Sequence, residues 1–98
     1  MENLNGKHVI VRSNRAGVFF AELADFDAVT RQAELRNCRR IYYWDGAASL
    51  SQIAMDGVNN NSKMTVTVPS MIVMEVIELL PCSEKAVKNL KNIKEWKR

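Results

Sequence analysis

The stretch CRRIYYWDGAASLSQIAMDGV, from Cys38 to Val58, decides the fold class because its hydrophobic period changes partway along. Its first part, up to Trp44, carries the aromatic and β-branched residues of a strand. The apolar residues that follow recur at helical spacing (i, i+3, i+4, i+8), with Asp45 placed to cap a helix and Gly57 to end it. These apolar residues are Leu50, Ile53, Ala54 and Val58. A strand followed by a short amphipathic helix predicts a mixed α and β fold.

Three segments before this stretch predict strands. Lys7–Arg12 and Val18–Leu23 flank a turn cluster at residues 13–17, which indicates a β-hairpin. Asp25–Asp27 predicts the next turn, and Thr30–Leu35 resumes the alternation of a third strand. Asn37 tolerates left-handed backbone angles, so it predicts a bulge or tight turn before the strand at Cys38–Trp44.

After the helix, alternation over residues 63–68 predicts a strand with one wet face, which Pro69-Ser70 would break. Met71–Leu80 then predicts a long strand buried on much of both faces. Ser83 is placed to cap a final helix. The inward positions of that helix are Ala86, Val87, Leu90 and Ile93. We therefore expect one α+β domain over residues 1–98, β-dominant, built as a small curled antiparallel sheet or partly open barrel with one inserted helix and a C-terminal helix.

Composition limits the classes of protein. The 98 residues are 47% hydrophobic with a net charge of +3, which fits one compact domain that prefers anionic ligands to cationic ones. No apolar run reaches the roughly 18 residues needed to span a bilayer, and the N-terminus lacks the pattern of a secretory signal. We expect a cytoplasmic protein without membrane association, in which Cys38 and Cys82 are reduced core thiols.

The residues that commonly carry catalysis are scattered. The single histidine, His8, lies mid-strand with no motif to nominate a nucleophile, and no Cys-x-x-Cys, His-x-x-x-His, Walker or Gly-x-Gly-x-x-Gly spacing occurs. Glu75 and Glu78 are an odd number of residues apart on a predicted strand, so they point to opposite faces. Each is expected to pair with an arginine or lysine on a neighbouring strand. The sequence thus predicts a protein that is not an enzyme and holds neither a metal nor a cofactor.

Binding chemistry concentrates between residues 39 and 49. In an extended segment Arg40, Tyr42 and Trp44 share one face, where rings can stack on a nucleobase and arginine can hold a phosphate. The small residues that follow would leave backbone amides open to an anion at the start of the helix. The candidate ligand-binding residues are Arg39, Arg40, Tyr42, Tyr43, Trp44, Ala47, Ala48 and Ser49. The alternative is that Tyr43 and Trp44 are core, that Asp45 caps the helix and that both arginines are solvated.

The chain resembles a family of small phage and prophage proteins catalogued as a domain of unknown function. The resemblance rests on Val9–Arg12, Ala16–Leu23, Asn37–Leu50 and Glu78–Cys82, and it covers most of the chain. It implies a phage-related origin and action in the host bacterial cytosol, but it carries no site residues to transfer.

Together with the motif, the resemblance suggests an oligomeric binding protein that sequesters a cyclic nucleotide or ADP-ribose-type signal of bacterial immunity without turnover. One alternative is an inhibitor of host defence machinery that binds protein or nucleic acid through the lysine-rich surface of residues 85–98. Another is a phage structural or assembly protein whose strands pair with copies of itself.

Overall fold

The computed structural model describes residues 3–98, which form six strands and two helices. In chain order the elements are β1 (His8–Ser13), β2 (Gly17–Asp27), β3 (Gln32–Tyr43), α1 (Leu50–Asp56), β4 (Lys63–Met64), β5 (Val68–Val73), β6 (Val76–Pro81) and α2 (Glu84–Asn92). The strands pair antiparallel in the order β4-β3-β2-β1-β6, and β5 pairs with β3 next to β4. The predicted class, a β-dominant α+β fold with a curled, unclosed antiparallel sheet, is confirmed. Within residues 3–98 no helix is long and apolar enough to cross a membrane.

A two-residue link, Met74-Glu75, joins the two edges of this sheet. It connects β5, which pairs with β3, to β6, which pairs with β1. Glu75 turns the chain with a φ of 56°, and its carbonyl accepts the Asn14 N–H at 2.9 Å. The next amide, that of Val76, donates to the carbonyl of Arg31 at 3.0 Å. The sheet therefore curls, and this link connects its two edges at one end without pairing them.

The strand predicted over Met71–Leu80 is consequently wrong in two respects. The link divides it, and because β5 and β6 lie at the edges, several of its apolar side chains face water. The exposed ones are Ile72, Met74 and Ile77. The predicted break at Pro69-Ser70 is also wrong, since both residues lie within β5, where an edge position tolerates a proline. Of the strand predicted over residues 63–68, β4 retains only the first two residues.

A bulge at Asn37 merges two predicted strands into the long β3. Asn37 has a φ of 50°, as the sequence predicted, and its side-chain amide donates to Glu22 Oε2 at 2.8 Å. The pairing of β2 with β3 shifts register at this point, between Phe20 and Glu22. The turn predicted at Asp25–Asp27 is wrong, because β2 runs through it and the Asp27 carboxylate caps the following turn by accepting the Val29 N–H at 2.9 Å.

Two apolar clusters hold the fold together. The first fills the inside of the curled sheet and consists of Val9, Val11, Phe19, Ala21, Leu23, Ala33, Leu35, Cys38, Val73 and Val76. The second lies between the sheet and the helices and consists of Ile10, Phe20, Ile41, Ile53, Ala54, Val58, Met64, Ala86, Leu90 and Ile93. Successive strand residues alternate between the clusters, which is why β1 is buried on both faces.

Both helices begin with a serine cap. Ser83 caps α2, as predicted, by accepting the Ala86 N–H at 3.0 Å, and it also donates to the Met55 carbonyl at the end of α1. The cap of α1 is Ser49, so the prediction of Asp45 is wrong. Gly57 ends α1 with a φ of 82°, as expected. The two helices pack with the predicted inward positions of α2 buried or half-buried.

The predicted structural roles of the carboxylates and thiols can be read directly. Glu78 pairs with Arg12 on the neighbouring strand β1 at 3.6 Å, as expected. Glu75 lies in the link and not on a strand, and it pairs with Arg15 in the β1–β2 turn at 3.6 Å, so the expected pairing across strands is confirmed for Glu78 alone. Cys38 and Cys82 are free thiols. Burial raises the pKa of Cys38 to about 11 and that of Cys82 to about 12, so neither is a thiolate at neutral pH.

Candidate ligand-binding surface

Arg39 faces the second cluster and is only 5% exposed. Its guanidinium donates from Nη1 to the Leu90 carbonyl at 2.7 Å and from Nε to the Thr65 carbonyl at 3.0 Å. A longer contact joins Nη2 to the Met64 carbonyl at 3.5 Å. Burial lowers the pKa of Arg39, and nearby Glu95 opposes that effect. Arg39 therefore fastens α2 to the sheet, and the expectation that it meets a phosphate at the surface is corrected.

Arg40 lies on the opposite face of β3 and is exposed. Its guanidinium carbon sits 4.9 Å from the centroid of the Phe19 ring, a cation–π contact that holds the charge above the edge of the first cluster. Its backbone is fixed by Thr65, whose Oγ1 accepts the Arg40 N–H at 2.9 Å and whose N–H donates to the Arg40 carbonyl at 3.0 Å. This cation is positioned by the fold and still open to an anion.

Tyr42 shares that face and stacks on Trp96, with ring centroids 4.6 Å apart and planes inclined by 21°. The backbone N–H of Trp96 donates to the Met64 carbonyl at 2.8 Å, which holds Trp96 in place. Lys63 Nζ lies 5.5 Å from the Trp96 ring centroid. Tyr42 is 63% exposed. We call the group Arg40, Tyr42, Lys63 and Trp96 the aromatic surface.

The surroundings of the aromatic surface are mostly cationic. A shallow depression of about 360 Å³ lies beside it, between residues 60–63 and 94–97. Lys94 and Lys97 border this depression, and Glu95, the one acidic residue among its lining, pairs with Lys97 at 3.6 Å. The predicted lysine-rich surface therefore meets the predicted aromatic motif at this place.

Tyr43 and Trp44 depart from the predicted alternation. A register shift between Ile41 and Tyr43, where β3 pairs with β4, adds one residue and turns Trp44 toward the second cluster, on which it packs half-buried. The prediction that Trp44 shares a face with Arg40 and Tyr42 is therefore wrong. Tyr43 is 47% exposed.

Two of the amides at the start of α1 already have partners within the first turn of the helix. Ser49 Oγ accepts the Gln52 N–H at 3.1 Å, and Gln52 Oε1 accepts the Ala48 N–H at 2.8 Å, so this first turn caps itself. Ala47 packs on the second cluster. Asp45 does not cap α1. Its carboxylate accepts a hydrogen bond from the Asn61 side-chain amide, and its backbone N–H donates to Ser62 Oγ at 3.0 Å. The Ala48 N–H and the Ser49 hydroxyl are therefore already used in capping α1.

Sequence reasoning missed Lys63 and Trp96, the two members of the aromatic surface that come from elsewhere in the chain. The only sequence signal was a tryptophan among lysines, in Lys94-Glu95-Trp96-Lys97, which is also typical of a solvated tail. What places Trp96 is a short parallel bridge between Glu95 and Met64, and such a contact leaves no periodic pattern.

Comparison with known proteins gives one match. The model of a family described as Domain of unknown function (DUF6948) matches residues 6–90, which is most of the chain. No curated protein and no solved structure matches the chain. The matched region contains both apolar clusters except Ile93, together with three of the four residues of the aromatic surface, and ends before Trp96. The chain therefore belongs to the family described as Domain of unknown function (DUF6948).

Proposed function

We propose that this protein is a non-enzymatic binding protein that captures a nucleotide-type ligand at the aromatic surface. The observation that carries the proposal is the exposed stack of Tyr42 on Trp96, with Lys63 over the Trp96 ring. Arg40, held over Phe19, lies two residues before Tyr42 on the same strand. Any nucleobase has a π face that such rings accept, and phosphate oxygens suit both cations. We further propose a phage or prophage origin and a role in sequestering an immune signal, which rest on the sequence resemblance.

The strength of the site points to a ligand with several charges. Stacking contributes about 1–3 kcal/mol per base by alanine substitution, and a hydrogen bond to a charged group about 1.5–3 kcal/mol. One base and one phosphate at an open surface therefore bind weakly once the cost of association is counted. Cyclic dinucleotides, cyclic trinucleotides or ADP-ribose-type molecules supply more contacts, and so would a second subunit facing the first. We therefore include a homo-oligomer in the proposal.

Native mass spectrometry of the protein purified from cells, and again after adding these three ligand classes, tests the proposal directly. We expect a discrete added mass with a defined stoichiometry per oligomer. Because Tyr42 supplies the stack, Tyr42→Ala should weaken binding about tenfold or more. Arg40→Gln should also weaken it, whereas Arg36→Gln, which changes another exposed arginine of β3, should leave it unchanged. The proposal fails if no ligand binds, or if Arg36→Gln has the same effect as Arg40→Gln.

A second candidate is single-stranded nucleic acid, favoured by the lysines that surround Trp96. A longer polyphosphate would use Lys94 and Lys97 as well as the aromatic surface. Its signature is a steep loss of affinity with salt, with a slope of log K against log salt of roughly −0.7 per phosphate contacted. Titration of a ten-nucleotide oligothymidylate at two salt concentrations separates this candidate from a compact nucleotide, for which the slope is shallow.

A further inference from the structure

A groove of about 740 Å³ shares no lining residue with the aromatic surface. It opens where the inside of the curled sheet is uncovered, between β6, the N-terminal segment and the β2–β3 turn. Its apolar lining extends the first cluster toward solvent, since Leu4, Phe26 and Leu79 all pack against that cluster. We call it the β6 groove. Its lining includes Leu4, Phe26, Arg31, Ile77, Leu79 and Pro81.

One wall of the β6 groove is a strand edge with backbone groups to offer. Cys82 N–H donates to the His8 carbonyl at 3.0 Å, and the pairs from Val9–Pro81 to Arg12–Glu78 keep a constant register. In an antiparallel pair, hydrogen-bonded and non-bonded positions alternate. Leu79 lies three residues before Cys82, so it occupies a non-bonded position opposite Val11. Its N–H and C=O therefore point away from β1, along the open edge of β6, and Leu79 also lines the groove.

The charges along the groove give it a direction. Arg31 lines the end of the groove next to Val76. The Val76 N–H donates to the Arg31 carbonyl at 3.0 Å. The acidic residues of the lining, Asp25 and Glu78, lie along its length. A chain running antiparallel to β6 ends beside Val76, and its terminal carboxylate would meet the Arg31 guanidinium. At the other end Pro81 has no N–H, which stops further pairing.

We propose that the β6 groove binds an extended peptide of four to five residues that adds antiparallel to β6 and places its C-terminal carboxylate against Arg31. The backbone of Leu79 supplies directional hydrogen bonds, and alternate apolar side chains of the peptide fill the pocket beside Phe26 and Leu4. A fatty acyl chain would fill the same apolar space and leave the Leu79 donor and acceptor unpaired, which is costly once water is excluded. This proposal is independent of the ligand at the aromatic surface.

The probe is a pool of pentapeptides with a free carboxylate, in which Val, Ile, Leu or Phe alternate with Ser or Thr. The control pool has the same sequences with an amidated C-terminus. We call the pool with free carboxylates the acid pool and the control the amidated pool. Amide hydrogen exchange of the full chain, followed by NMR, measures the exchange rate of the Leu79 N–H. This rate should fall at least tenfold with the acid pool, because the peptide backbone then accepts a hydrogen bond from this N–H. The amidated pool should bind about tenfold more weakly, since it lacks the charge-assisted contact.

Arg31→Asn tests the charge without disturbing the turn, because asparagine tolerates the φ of 60° found there. It should remove the preference for the acid pool, whereas Arg36→Asn, an exposed arginine outside the groove, should keep it. The proposal is overturned if Leu79 gains no protection from the acid pool, or if acid and amide pools bind alike. It is also overturned if Leu79 protection grows with protein concentration alone, which identifies a second copy as the occupant, or if decanoate occupies the groove while the pool does not.

Discussion

Replacing Arg39 with methionine separates a structural arginine from a ligand-binding one. Methionine keeps much of the apolar stem and removes the guanidinium, whose donors satisfy the carbonyls of Thr65, just after β4, and of Leu90 in α2. One of these carbonyls, that of Leu90, lies in the last turn of α2, where the helix itself provides no partner. The Met64 carbonyl keeps its bond from the Trp96 N–H. The change therefore loosens α2 from the sheet without unpairing β4.

The expected loss follows from two short hydrogen bonds and one compensation. Arg39 donates at 2.7 and 3.0 Å, and hydrogen bonds to charged groups contribute about 1.5–3 kcal/mol each. Removing the cation also removes the cost of keeping it out of water, which offsets part of that loss. We expect the free energy of unfolding to fall by about 2–3 kcal/mol, and Tm by on the order of 10 °C for a domain of this size.

Urea denaturation followed by tryptophan fluorescence measures this loss. The matched control is Arg40→Met, which removes an exposed cation over Phe19 and should lose only about 0.5–1 kcal/mol. Ligand binding should respond in the opposite order, because Arg40 belongs to the aromatic surface and Arg39 does not. Equal losses of stability for the two variants, or a loss below about 0.5 kcal/mol for Arg39→Met, would refute the structural role that we assign to Arg39.

Three further predictions concern the backbone and pH. Asn37→Val should lose about 1–2 kcal/mol of unfolding free energy and Asn37→Gly less, because a β-branched residue is strained at the φ of 50°; denaturation of both variants checks the order. Gly57→Ala should lower Tm by several degrees, since the new Cβ would overlap the Asn89 side chain at a φ of 82°. Burial lowers the pKa of His8 below 6.5; the charge of Lys91 lowers it further and that of Glu22 opposes the shift. The contribution of neutral His8 to the free energy of unfolding is therefore complete above pH 6.5 and is lost as the pH falls. The drop in unfolding free energy from pH 7.5 to 5.5 should therefore be smaller for His8→Gln, and an equal drop would contradict the assignment.

The strand alternation predicts part of the aromatic surface but not all of it. The strand alternation of β3 is enough to place Arg40 and Tyr42 on one face, because neighbouring residues of a strand point to opposite sides. It fails at Trp44, since a register shift against β4 depends on a partner strand twenty residues away. The alternation also cannot show that Arg39 is buried. The carbonyls to which Arg39 donates belong to β4, to the residue that follows β4, and to α2.

The amino-acid sequence by itself determined the class of fold, the two helices with the cap of α2, and the bulge at Asn37. These depend on residue preferences and on periods within one segment. Tertiary structure alone decided where the long strand divides, which arginine is buried, and that Trp96 joins Tyr42. The reason is that each of these is set by hydrogen bonds and packing between distant segments, for which the chain carries no local signal.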